Sequence, residues 1–160
     1  MRLLEQERKS TQRLAETIGS IPLFSGLDKK DRERIAGAGR EVTFEKGKTI
    51  LREGEPGLAL LLILEGKVEV RKKGKLLSTL GNGGFFGEMT VIDDKPRSAD
   101  VVAVAPTTCF GLTSWAFAGL VRTYPEIALA VMKELVRRLR EVQETATSQA
   151  EDPERLPQNA

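Results

Sequence analysis

Hydrophobic and polar positions change rhythm three times along this chain. In residues 1–18, Leu4, Thr11, Leu14, Ala15 and Ile18 recur at helical spacing until Gly19, which predicts an amphipathic N-terminal helix. Ile21-Pro22-Leu23-Phe24-Ser25-Gly26-Leu27 reads as a buried apolar connector, and Asp28 caps a short charged helix to about Ala36, closed by Gly37 and Gly39. From Val42 to Thr113 the rhythm becomes short alternating or apolar runs: Val42–Phe44, Thr49–Arg52, Leu58–Leu64, Val68–Val70, Leu76–Leu80, Ala99–Val104 and Thr107–Leu112. Glycines at 47, 54, 57, 66, 74 and 81 punctuate them. Many short strands with such breaks predict an antiparallel β-barrel or jelly roll. After it, Ser114 caps a helix from Trp115 to Arg122, with Trp115 expected in the core, and Pro125 opens a long helix with Glu126 complementing its dipole.

Along that last helix Ala128, Met132, Leu135, Leu139, Val142 and Ala146 step by fours and threes. The seam fits a stripe packed on the barrel and fits a homodimer contact equally well. Residues 147–160 are polar, carry two prolines and are expected to form a disordered tail. The expected organisation is a helix over 1–19, a ligand-binding domain over 20–146, and that tail.

Composition narrows the chemistry by exclusion. The chain has no histidine and one cysteine, Cys109, among 160 residues. Serine triads, cysteine–histidine dyads and most zinc or iron sites are thereby removed, so neither an enzyme nor a metal cofactor is expected. Cys109 reads as a small buried residue with no redox role, and a lone cysteine suits a reducing compartment. No apolar run is long enough to span a membrane, and the charged N-terminus is unlike a signal peptide, so a cytoplasmic protein is expected. Net charge is only +2, and Arg71-Lys72-Lys73-Gly74-Lys75 reads as a solvated hairpin turn and not as a DNA patch.

The chemistry concentrates in Gly83-Gly84-Phe85-Phe86-Gly87-Glu88-Met89-Thr90-Val91-Ile92-Asp93-Asp94-Lys95-Pro96-Arg97-Ser98-Ala99. Glycine allows close backbone approach and positive φ. Glu88–Ile92 is long enough for one helical turn whose free amides at Gly87, Glu88 and Met89 favour an anion. Arg97 offers a planar donor fork for phosphate, Ser98 a hydroxyl, and Glu88 an acceptor for a ribose hydroxyl. A plain Glu88–Arg97 ion pair is the simpler alternative.

The stretch Phe86-Gly87-Glu88 followed by Arg97-Ser98-Ala99 resembles the phosphate-binding cassette of the cyclic-nucleotide-binding domain family, as found in catabolite-activator-like regulators. The resemblance extends over roughly residues 20–145 and includes Ile21–Leu27, Glu53-Gly54-Glu55 and Leu62-Ile63-Leu64-Glu65-Gly66-Lys67-Val68. It implies a mainly β, double-stranded β-helix fold with N-terminal helices and a long C-terminal helix. It also implies that Glu88 accepts from the ribose 2′-hydroxyl, Arg97 binds the cyclic phosphate, Ser98 donates to a phosphate oxygen, and the amides of Gly87 and Met89 line the phosphate. Val70 and Leu77 match positions lining the base. On the long helix, Val142 and Gln143 stand where relatives carry a hydroxyl pair on adenine, so Val142 could only cover the base and Gln143 could bond to it. Ser98, where some cGMP-preferring relatives carry Thr, leans towards cAMP.

The implied protein senses cAMP in preference to cGMP and regulates an effector protein through its C-terminal helix. The alternative is a nucleotide-independent interaction module that keeps the fold alone. Only a short polar stretch follows Ala146, where the DNA-binding relatives have a helix-turn-helix, so no DNA partner and no membrane partner are expected.

Overall fold

The computed structural model describes residues 1–151, with side chains as far as Ser148. Helix α1 (Arg2–Gly19) leads into a single 3-10 turn at Pro22–Phe24, then α2 (Lys29–Ala38), whose N-cap Asp28 accepts from the amide of Asp31 at 2.9 Å. Eight strands follow: β1 (Arg40–Phe44), β2 (Thr49–Leu51), β3 (Ala59–Glu65), β4 (Val68–Lys72), β5 (Lys75–Leu80), β6 (Phe85–Phe86), β7 (Asp100–Ala103) and β8 (Thr107–Thr113). Helix α3 (Glu88–Asp93) sits between β6 and β7, and α4 (Ser114–Thr123) and α5 (Pro125–Glu151) complete the chain. No helix among the described residues is long and apolar enough to cross a membrane.

The strands form two four-stranded antiparallel sheets, ordered β1-β8-β3-β6 and β2-β7-β4-β5. Leu61 and Ile63 of β3, Val68 of β4, Phe86 of β6, Val101 of β7 and Cys109 of β8 pack into one apolar cluster. Because these residues come from both sheets, the sheets face each other as a jelly roll. The alternate residues of the first sheet, Leu60, Leu62, Phe85, Phe110 and Leu112, join Ile18, Phe24, Ile35, Phe117, Leu120, Ile127 and Val131 in a second cluster beneath the helices. Both faces of β3 are therefore buried, which explains its unbroken apolar run. The adjacent phenylalanines of β6 divide between the two cores, as period-2 geometry requires.

Four local expectations change. The strand β6 is too short to show a pattern of its own. The helix α2 runs through Gly37, which closes nothing. The cap of α4 is Thr113, accepting from the amide of Ala116, while Ser114 is already helical. Trp115 is 66% exposed and not core, because at the first turn of α4 it faces away from the side on which Phe117 and Leu120 are buried. The Arg71–Lys75 stretch is the β4–β5 hairpin turn, with Lys73 and Gly74 both at positive φ, the geometry that matches strand twist. Burial pushes the Cys109 thiol up to about 12, which keeps it protonated and unreactive.

Helix α5 continues to Glu151, inside the segment expected to be a tail; residues 152–160 lie outside the described residues. Its seam also resolves. Ile127 and Val131 are buried, and Leu135 packs partly on the helix-side core. Leu129, Met132, Val136, Leu139 and Val142 are each about half exposed or more. Met132, Leu139 and Val142 of the expected seam are thus not the stripe that packs on the barrel.

Candidate functional site

The site grows from one tight turn. Gly87 at φ 84° ends β6 and is the N-cap of α3. A side chain there would be strained, and its Cβ would lie 2.7 Å from the Ala59 carbonyl oxygen and 2.9 Å from Nη1 of Arg97. The amides at the start of α3 consequently remain without side-chain caps. At the other end Asp94, at φ 59°, turns the chain out of the helix and donates its amide to the Thr90 carbonyl.

Arg97 returns from that loop into the protein. Its backbone is clamped to the β2–β3 turn: its amide donates to the Glu55 carbonyl at 2.9 Å, and its carbonyl accepts from Gly54 at 2.8 Å. The Glu53-Gly54-Glu55 segment is therefore a backbone clamp on the site arginine, and the Glu53 amide adds a bond to the Asp100 carboxylate. The guanidinium lies in a slot lined by glycines. Nη1 donates to the Gly87 carbonyl at 3.0 Å and Nη2 to the Ala59 carbonyl at 2.9 Å. A Cβ at Gly57 would overlap the guanidinium outright.

Among the described residues, Glu88 and Arg97 are the charged side chains that are buried. Such groups are almost never buried without a partner, yet they are not paired with each other. Arg97 makes no ion pair among the described residues, so the plain Glu88–Arg97 salt bridge does not form. Burial holds the Arg97 guanidinium below its ordinary pKa range, and the Glu88 carboxylate nearby acts in the opposite sense. Glu88 instead meets Arg138 of α5, whose Nη1 donates to Oε1 at 3.1 Å.

The remaining expected residues divide. Ser98 is exposed, with its hydroxyl 3.5 Å from the sulfur of Met89, which is itself 53% exposed beside the α3 start. Gly87, Glu88, Met89, Arg97 and Ser98 thus come together. Val70 packs partly buried against the inter-sheet core, and Leu77 stands half exposed on β5. Val142 and Gln143 are exposed on α5, about one turn past Arg138.

Three contributors escaped sequence reasoning: Gly57, the Ala59 carbonyl and Arg138. The first two are visible only once β3 lies beside the cassette. Arg138 left no trace in the pattern, since the Ile127–Val131–Leu135 steps of four continue to the apolar Leu139 and the arginine stands one place before it.

The chain is also similar to known proteins. The family model for the cyclic nucleotide-binding domain matches residues 41–124. The chain is 34% identical over 125 residues to the cyclic AMP receptor protein of Thermus thermophilus, covering 75% of this chain and 58% of that protein. It is 30% identical over 118 residues to the cAMP-dependent protein kinase regulatory subunit of Dictyostelium discoideum, covering 69% of this chain and 36% of the relative. The crystal structure of the Thermus thermophilus catabolite activator protein superposes with a TM-score of 0.72 at 33% identity, over 81% of this chain and 63% of that one. The chain spans less than two thirds of the length of these relatives. Since the matched segment contains both sheets, the cassette and the buried arginine, this chain belongs to the cyclic nucleotide-binding domain family.

Proposed function

We propose that the chain binds a 3′,5′-cyclic nucleotide, cAMP ahead of cGMP, as a sensor and not a catalyst, and that occupancy acts on a partner through α5. The observation that carries this reading is Arg97: a buried guanidinium with no carboxylate partner, aimed by a glycine slot at the start of α3. An arginine has five N–H donors, and two serve the Gly87 and Ala59 carbonyls, leaving three for a ligand. A buried cation lacking a counter-charge is costly to hold, and a bound phosphate monoanion supplies that charge. The amides of Gly87 and Met89 and the Ser98 hydroxyl lie at the same end, and Glu88 is the acceptor for the ribose 2′-hydroxyl. Val70 and Leu77 are the base-side surfaces, with Val142 and Gln143 brought over the base only if the end of α5 bends inward.

Relatives named for cyclic AMP support the base preference. The exposed face of α5 (Leu129, Met132, Val136, Leu139 and Val142) supports a second copy of the chain or an effector protein as the partner. Calorimetric titration with cAMP and then cGMP, repeated on Arg97→Ala, tests the reading. Binding to the native chain, with tens- to thousands-fold weakening in the variant (about 2–5 kcal/mol), is expected. No heat with either nucleotide would leave an interaction module that keeps the fold without the ligand.

A further inference from the structure

A cleft of about 580 Å³ opens between α1 and the first sheet, and none of Gly87, Glu88, Met89, Arg97 or Ser98 lines it. That size suits a small organic ligand. Its helix wall runs along residues 6–17 of α1. The helix is anchored only near its C-terminal end, where Ala15 and Ile18 are buried, while residues 1–10 are exposed. The cleft therefore lies under the less supported part of α1.

The two walls carry opposite charge. Lys9 and Arg13, one turn apart on α1, supply cations; Glu41 of β1 and Glu65 at the end of β3 supply carboxylates. None of the four makes an ion pair among the described residues. Between the walls Leu14 and Leu64, both partly buried against the helix-side core, form an apolar floor. Asn82 also lines the cleft, and its Oδ1 accepts from the Gly66 amide at 2.9 Å, which fixes the carboxamide and leaves its nitrogen as a donor.

We propose that this cleft is a second ligand site, separate from the cassette, and that it takes a small zwitterion with an apolar body, such as a short peptide. A plain anion drawn to Lys9 and Arg13 would be repelled by Glu41 and Glu65, and a plain cation would meet the reverse. A molecule carrying both charges completes a pair on each wall. A wholly polar zwitterion would leave Leu14 and Leu64 facing water, so an apolar side chain over that floor adds to binding. The bound molecule would also tie the exposed part of α1 to the sheet.

The probes are leucyl-leucine, its N-acetyl derivative, which lacks the ammonium, and its C-terminal amide, which lacks the carboxylate. Amide NMR shifts of the full chain follow each titration. Leucyl-leucine should saturate, with shifts centred on Leu14, Leu64 and Thr108, which lines the same cleft. Each blocked form should bind about two- to fivefold more weakly, the range expected for exposed charge pairs. Lys9→Ala with Arg13→Ala should bind the amide as well as the free dipeptide. Glu41→Gln with Glu65→Gln should likewise cease to distinguish the acetylated form. All four residues are exposed, so the variants should fold; thermal melting checks this, and Arg13→Ala and Glu65→Gln alone carry the same comparison if a double variant does not.

Absence of saturable shifts at the cleft would overturn the proposal. Equal binding of all three forms would reduce the effect to apolar adhesion and overturn it too, as would a charge preference that neither pair of substitutions alters. Displacement of the dipeptide by cAMP would move it to the cassette and end the case for a second site. The cleft shares no residue with the nucleotide reading, so failure of either leaves the other standing.

Discussion

From Pro125 to Leu135, α5 buries Ile127 and Val131 against the helix-side core, beside Ile18, Phe24 and Phe117. From Arg138 onward its hold on the jelly roll is polar: one guanidinium bridges Glu88, the Phe85 carbonyl and Glu134, and the residues after it are exposed as far as Ser148. One continuous helix is thus attached by apolar area at one end and by directional bonds at the other. Apolar burial is insensitive to orientation and hard to undo, whereas the polar contact depends on geometry and on what else meets the same carboxylate. The first half belongs to the fold, and the second half is where, on the proposed function, a ligand at Glu88 would be felt.

The largest expected effect comes from attacking the apolar end. Ile127→Ala should lower unfolding stability by about 2–5 kcal/mol, read from urea or thermal denaturation. A cost below about 1 kcal/mol would mean that α5 is not anchored there, and the contrast between its halves would collapse. The paired change Met132→Glu with Leu139→Glu acts on the outward seam. It should leave monomer stability within about 0.5 kcal/mol per site and abolish self-association in sedimentation runs. A chain that is monomeric before the change would assign the seam to a different partner.

The smallest effect concerns pH. Hydrogen bonds from Arg137, together with bonds and charge from Arg138, hold the Glu134 carboxyl below its ordinary value of 4.5. The unfolded state therefore binds more protons than the folded state in that region, and stability rises with pH there. The contribution is fully present above about pH 4.5 and is lost as pH falls through the lower folded value. Because Glu134 is partly exposed, the effect should be small and weakened by salt. Comparing pH-dependent melting of the native chain with Glu134→Gln measures it, and identical acid limbs would show that this ion-pair group contributes nothing to holding the helix.

Much of the molecule is local and therefore legible. The Phe86-Gly87-Glu88 turn needs a glycine at positive φ, the strands of the jelly roll follow period-2 patterns between breakers, and Asp28 and Pro125 mark helix starts. Where the reading failed, the cause was a competing neighbour. Thr113 and Ser114 are both good caps, and adjacent residues differ only in which one meets the first helical amides. Trp115 carries an apolar ring, but its side of the helix is decided by where Phe117 and Leu120 must go.

The sequence by itself determined a glycine-turn cassette within a mainly β domain flanked by helices, because glycine turns and alternation are properties of residues and their near neighbours. Tertiary structure alone decided the charge pairing. Glu88 and Arg97, nine residues apart, do not pair; Glu88 takes Arg138 from 50 residues away, and Arg97 takes carbonyls from Gly87 and Ala59. The physical reason is that an ion pair depends on which groups lose water together, and which groups do so is fixed only when strands, cassette and final helix are packed into one body.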